Sequence, residues 1–288
     1  MFSSIKKVIM HNINLWGYTI PCKALTPFEV DYLSNLPTPL PSLEWVWSEM
    51  DRVWDLFNLN NTRPLRDQAI GDFYSHPVWL MNGIFTEMDP VSSGHRSAIA
   101  SYLIKIGASN IADYGGGWGA LAQAVVKIVP ECKVSIIEPF PSRVALDRMQ
   151  NESRIAFIDD FTFAPYNVVI AQDVLEHVED PVALVVNLVN AVEKDGYLIF
   201  ANCFNSCIKC HLPATFYLRY QFKLLMKYAG LHFIEVVPGA EHAQVFRKKD
   251  KMDHHNLIRA NKRAKRIGFL LNSVNGVSSI VKHKLLNL

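Results

Sequence analysis

The stretch Ile111-Ala112-Asp113-Tyr114-Gly115-Gly116-Gly117-Trp118-Gly119-Ala120 decides the fold. A short apolar run gives way to four glycines within five positions, and a helical pattern over 120–129 follows at once. Glycines at such a place let the backbone turn sharply and bring its amides close to a ligand that a Cβ would hold away. Outward from this turn the same alternation repeats: Lys133 to Ile137 and then 142–150, Arg154 to Ile158, Tyr166 to Ala171 and then 181–193, and Gly196 to Ala201. Strands alternating with helices predict a mostly parallel sheet covered on both faces. After a helical stretch from Thr215 to Tyr228, the runs His232–Val237 and Ala243–Phe246 predict an antiparallel pair that completes the sheet. The expected class is therefore α/β, a Rossmann-like doubly wound sheet with an antiparallel last strand and an N-terminal helical lid.

Two ligands compete for such a turn. A dinucleotide needs G-x-G-x-x-G/A, which Gly115, Gly117 and Ala120 satisfy, with Glu138 at the end of the next strand to hold a ribose. On that pattern alone an NAD-dependent oxidoreductase remains an alternative. The acid two positions before the first glycine tips the balance through the resemblance it completes, and a neighbouring carboxylate accords with a cationic ligand better than with a pyrophosphate.

Asp113-x-Gly115-x-Gly117-x-Gly119 resembles the first motif of the class I S-adenosylmethionine-dependent methyltransferases. The resemblance continues in order over about residues 95–247. Glu138, ending Val134-Ser135-Ile136-Ile137, matches the acid that accepts hydrogen bonds from both ribose hydroxyls. Asp159 and Asp160, after Phe157-Ile158, stand where the family sets a side chain against the adenine amino group. Val168 to Val178, with Asp180-Pro181 opening the next helix, is similar to the fourth-strand motif of the small-molecule branch, and 192–200 to the turn into the fifth strand. The resemblance implies S-adenosylmethionine as cofactor and S-adenosylhomocysteine as product. Asp113, Gly115, Gly117, Gly119 and Glu138 would hold the donor, Asp159 or Asp160 its adenine, Gln172 its methionine end, and Tyr74 would approach from the lid. A protein that binds the donor without turnover is a further alternative.

Methyl transfer is an in-line displacement, so the protein chiefly positions two reactants and supplies a base only where the nucleophile must lose a proton. His177 follows the fourth strand and His211 the fifth, both at the carboxyl edge where open α/β sheets hold ligands. They are the candidate bases, and their availability points to oxygen as the methylated atom. A sugar or surface-polysaccharide metabolite is one acceptor class in keeping with this, although no residue marks it. The Asn/Asp-Pro-Pro-Tyr motif of amino methylation is absent, which disfavours DNA adenine. His76 and His95 precede the core, and a structural role is expected of each. Cys203, Cys207 and Cys210 have the C-x-x-x-C-x-x-C spacing of radical enzymes, but here the triplet follows the fifth strand of a different architecture. They are read as small apolar residues, with no metal expected.

The chain of 288 residues carries 29 basic and 27 acidic side chains, a net charge of +2, and so has no general field to gather nucleic acid. A small-molecule acceptor is the expected partner. Five cysteines, an odd number, fit a reducing cytoplasm better than a disulfide framework. No stretch approaches the roughly 18 apolar residues of a membrane span, and His11, Asn12 and Asn14 interrupt any secretory signal.

The expected organisation is a cap over 1–92, a donor-binding core over 93–248 and a basic helical tail over 249–288. In the cap, Leu43, Val46, Trp47, Met50, Val53, Trp54 and Phe57 recur at helical spacing, and Trp79, Asn82 and Phe85 are expected to cover the acceptor pocket. A helix is predicted over 93–106. In the tail, Arg259, Lys262, Arg263, Lys265 and Arg266 read as a solvated helix, with contact to a second subunit of a homo-oligomer or to an anionic surface as the alternative.

Overall fold

The computed structural model describes residues 11–61, 67–161 and 165–268; the mildly apolar end of the predicted tail, 269–288, lies outside them, as do residues 1–10 of the stretch tested for a secretory signal. Seven strands form the central sheet: β3 (Asn110–Tyr114), β4 (Lys133–Ile137), β5 (Ile155–Ile158), β6 (Tyr166–Gln172), β7 (Val192–Ala201), β8 (Leu231–Val237) and β9 (Ala240–Lys248). Their order is β5-β4-β3-β6-β7-β9-β8, with β3 to β7 mutually parallel and β9 antiparallel to both its neighbours. This is the doubly wound sheet that the alternation predicts. The final pair is antiparallel as expected, and the second of its strands, β9, is the one inserted beside β7.

The elements follow from their residues. The parallel strands are near-continuous apolar runs because both faces are covered, and β6 is buried from Val168 to Ala171. The connecting helices α6 (Ala120–Ile128), α7 (Arg143–Met149), α8 (Pro181–Ala191) and α9 (Leu218–Tyr228) lie on the two faces. Asp180 caps α8 by accepting the Ala183 N–H at 3.1 Å, with Pro181 in the first turn, where its missing N–H costs nothing. The strand predicted over 196–201 begins at Val192 instead. Asp195 adopts φ +65° beside Gly196, so what reads as a turn is a bulged strand start paired through Tyr166 to Val192.

The N-terminal region is helical as expected: α1 (Pro27–Ser34), α2 (Leu43–Leu56), α3 (Gln68–Tyr74), α4 (Pro77–Met88) and α5 (Pro90–Lys105). Before them, β1 (Asn12–Leu15) and β2 (Tyr18–Pro21) form a hairpin about Trp16-Gly17 that carries too few residues to show a pattern. The region has its own core, including Ile20, Val46, Val53, Phe73, Met81 and Ile84. That core also takes in Trp118 of the glycine turn, Val144 of α7, and Ile208 and Cys210 beyond β7. Residues 254–268 are helical and less solvated than predicted. Leu257 and Ala264 are buried in the cluster around α8 and α9, and Tyr217 Oη donates to Asn261 Oδ1 at 2.6 Å. Among the described residues no helix is long and apolar enough to cross a membrane.

Candidate active site

The carboxyl ends of β3 and β6 are neighbours at the point where the strand order reverses, the place where open α/β sheets keep their ligands. Here β3 delivers Asp113 and the glycine turn. Gly115, Gly117 and Gly119 all adopt φ between +51° and +80°, a region closed to most side chains. Gly116 is held by space instead: a Cβ on it would lie 2.6 Å from Asp113 Oδ2 and 2.9 Å from Ile136 Cγ2. The spacing argument did not select Gly116, because only the packed turn shows the carboxylate beneath it.

Asp113 is 2% exposed, and its Oδ2 has no hydrogen-bond partner among the described residues. Burial, with the Glu138 carboxylate nearby as the lesser cause, pushes its carboxyl up to about 7. When ionised, this carboxylate has no compensating partner among the described residues, and a positive charge beside it would favour the ionised form. Glu138, at the end of β4, accepts the Gly117 N–H at 2.9 Å and the Phe140 N–H at 3.1 Å. The exposed ring of Phe140 lies parallel to that of Tyr74 at 6.2 Å. Tyr74 in turn stacks on Trp79 at 5.0 Å, and burial holds its phenol protonated well above the ordinary range. Contacts thus run from the glycine turn, with Asp113 beneath it, through Glu138 and Phe140 to Tyr74. Asp159 and Asp160 follow β5 at the same edge of the sheet and are exposed.

Gln172 ends β6 and donates from Nε2 to Asp173 Oδ2 at 3.4 Å. Asp173 adopts φ +52°, tied by its N–H to the Ala201 carbonyl at 2.7 Å. Its side chain reaches solvent, while protein packed about the carboxyl partly desolvates it. That surrounding raises its carboxyl, opposed by the Gln172 amide and by the imidazoles of His211 and His95. Asp173 lies within the 168–178 motif but was given no role of its own; an Asp at a strand end tolerates the left-handed turn it adopts.

The two candidate bases are brought together, their rings 4.8 Å apart and edge to face. His177 sits 6.2 Å from the Trp79 ring and 6.5 Å from the Tyr74 ring, both from the N-terminal helices. Its Nδ1 is 3.1 Å from the Cys210 carbonyl, which can only accept, so Nδ1 carries the proton and Nε2 the lone pair. Burial, with the nearby His211 ring as a further cause, lowers its pKa to about 3, so the ring is neutral at physiological pH. His211 makes the corresponding contact, Nδ1 to the Asn205 carbonyl at 2.7 Å. Burial lowers its pKa as well.

Other expected residues fall elsewhere. Phe85 does not cover the acceptor side: it is 2% exposed and packs edge-on against Trp16 at 6.2 Å inside the lid. His76 is structural, as expected. Its Nδ1 accepts the Val78 N–H at 3.0 Å at the start of α4, and the rings of Phe28, Tyr32 and Phe57 surround it. His95 lies 4.6 Å from His242 of β9, ring to ring, a pairing across the chain that no local pattern announces.

A family model described as a methyltransferase domain matches residues 95–260. No curated protein matches significantly. Among solved structures the chain is similar to human N-acetylserotonin methyltransferase in complex with S-adenosylmethionine, at 19% identity over 71% of this chain and 67% of that one, TM-score 0.49. It is also similar to the mitomycin 7-O-methyltransferase MmcR, at 16% identity over 73% and 69%, TM-score 0.46. A third is the N-methyltransferase NodS of Bradyrhizobium japonicum with S-adenosyl-L-homocysteine, at 16% identity over 71% and 99%, TM-score 0.42. Likenesses of this size say nothing of the acceptor. The comparisons give no support to the nicotinamide-dependent alternative.

Proposed function

Given that the chain belongs to the class I S-adenosylmethionine-dependent methyltransferases, by the methyltransferase-domain match over residues 95–260, we propose that its acceptor is a small polar molecule methylated at oxygen. The buried Asp113 carboxylate with its unpartnered Oδ2 carries the assignment of the donor site. A ligand bearing an ammonium and a sulfonium offers the positive charge that this pocket lacks. When bound, S-adenosylmethionine supplies a methyl carbon activated by positive sulfur and leaves as S-adenosylhomocysteine.

In this reading Asp113 takes the ammonium group, and Gly115, Gly117 and Gly119 let the main chain close on the donor. Glu138 accepts from the ribose hydroxyls, and Asp159 or Asp160 accepts from the adenine amino group. Gln172 holds the methionine end, and Tyr74 with Phe140 offers parallel ring faces on the Glu138 side. Trp79 and Tyr74 shield the acceptor from water on the lid side, and His177 Nε2 accepts the acceptor's hydroxyl proton. The neutral imidazole, its Nδ1 fixed on the Cys210 carbonyl and its Nε2 left as the acceptor, supports this role.

The test has two arms. Calorimetric titration with S-adenosylhomocysteine should show one saturable site, weakened at least tenfold in Asp113→Asn. Screening sugars, phenols and hydroxy acids with tritiated donor should then yield an O-methyl product, and His177→Ala should lower turnover on it with donor affinity unchanged. Failure to bind either form of the donor removes the site assignment; a product methylated at nitrogen or carbon removes the acceptor class.

A further inference from the structure

We propose that Cys203, Cys207 and His211 hold a thiophilic divalent cation, zinc by its chemistry, beside the active crevice. One ligand atom from each residue lies within 4.8 Å of the others, and the two thiol sulfurs are 3.4 Å apart. Tetrahedral zinc, with bonds of about 2.3 Å to sulfur and about 2.0–2.1 Å to nitrogen, sets its ligand atoms roughly 3.5–3.8 Å apart. The group is thus within small side-chain adjustments of a binding geometry.

The loop that carries it is already fixed. Cys203 donates its N–H to Glu176 Oε1 at 2.6 Å, and Leu212, beyond the last ligand, donates to the Glu176 carbonyl at 2.8 Å, so one residue pins both ends. Inside the loop, the Asn205 carbonyl accepts the Cys207 N–H at 2.9 Å and His211 Nδ1 at 2.7 Å. A ring nitrogen that donates to a carbonyl is the usual support of a metal-bound histidine, because it fixes the tautomer and leaves the other nitrogen's lone pair for the metal.

Glu176 is fully buried, and its other carboxylate oxygen, Oε2, has no partner among the described residues. The residue that anchors the thiol loop thus keeps an acceptor oxygen without a partner among the described residues. Cys210, by contrast, is 2% exposed in the lid core and does not join the group, so the three-thiol set that an iron-sulfur cluster would use is not assembled. Two sulfurs and one nitrogen leave the fourth position of a tetrahedral ion to water or to an oxygen of the acceptor. The inference does not depend on the acceptor chosen above.

Metal analysis of the full chain, tag-free, equilibrated with zinc and passed through gel filtration, should find about one zinc per chain. Cys203→Ser, Cys207→Ser and His211→Ala should each lose it while Cys22→Ser keeps it, with S-adenosylhomocysteine binding as the check that each variant is folded. Cobalt substituted into the unaltered chain should show the visible bands of a tetrahedral site together with thiolate charge transfer. That spectrum decides the matter even if a variant fails to fold. Zinc below about a tenth per chain, zinc retained by the cysteine variants, or a cobalt spectrum without thiolate charge transfer overturns the proposal.

Discussion

Asp113 stays charged only against its surroundings. Burial and the Glu138 carboxylate lift its carboxyl from 3.8 to about 7, so in the free protein it is largely protonated below neutrality. A group raised in this way stabilises the folded chain fully below its unfolded value, and that contribution is lost as pH rises through about 7. A cationic ligand reverses the preference because it selects the ionised form. Affinity for S-adenosylhomocysteine, which keeps the ammonium, should therefore climb as pH rises through about 7 and level off above it, with a limiting slope near tenfold per unit below. Calorimetry across that range in buffers of different ionisation heat measures both the slope and the proton released. Asp113→Asn should flatten the slope, and a slope unchanged in that variant would remove Asp113 from the site. Gly116→Ala tests the same carboxylate from above: its Cβ would meet Asp113 Oδ2 at 2.6 Å, so donor affinity should fall at least tenfold. Equal affinity in the alanine variant would show that the carboxylate can move without cost. Asp113 and Glu138 were legible in the sequence because their order and spacing along the chain are the signal. Asp173, Glu176 and Gly116 were not, since what singles them out is an orientation or a contact made only in the folded protein.

Between elements, the helix α4 meets the glycine turn at Gly83, where a Cβ would stand 2.9 Å from Trp118 Cγ and 3.1 Å from its Cβ. The same indole donates to Glu87 Oε2 at 3.3 Å, and Arg148 of α7 joins them, its guanidinium 3.0 Å from Glu87 Oε2 and 4.1 Å from the Trp118 ring. The N-terminal helices therefore grip the glycine turn itself. Gly83→Ala should destabilise the protein by about 1–3 kcal/mol through overpacking. It should also weaken donor binding, since Trp118 moves with Gly117 and Gly119. Urea midpoints and donor calorimetry on one preparation separate the effects; lost stability with intact affinity would mean that turn and lid are not coupled. The helices and parallel strands of the core were readable because their apolar periods change from 3.6 to continuous at each junction. The hairpin of β1 and β2 was not, because four residues per strand leave no period to count. The insertion of β9 beside β7 was hidden for a different reason: strand order is a matter of pairing, and pairing leaves no mark on the local pattern.

At the scale of the molecule, packing among the described residues crosses the division into cap and core that composition suggests. The N-terminal core includes Trp118, Val144, Ile208 and Cys210, all from beyond residue 92. A cluster shared in this way should make the two parts unfold together, since neither keeps its interior when the other leaves. The tryptophans offer a clean measurement. Of the six, Trp16, Trp45, Trp47, Trp54 and Trp79 lie within the first 92 residues, and the sixth, Trp118, is packed against α4. Fluorescence therefore follows the lid, while far-ultraviolet circular dichroism sums the helices and strands of both parts. Under urea the two signals should trace one transition with the same midpoint and slope, and saturating S-adenosylhomocysteine should move both equally, by about 2.7 kcal/mol at a hundredfold excess over its Kd. Fluorescence that melts before the dichroism would mean a lid that opens on its own. The crevice would then be gated by local unfolding of the first 92 residues, and the shared cluster would be too weak to bind lid and core into one cooperative unit.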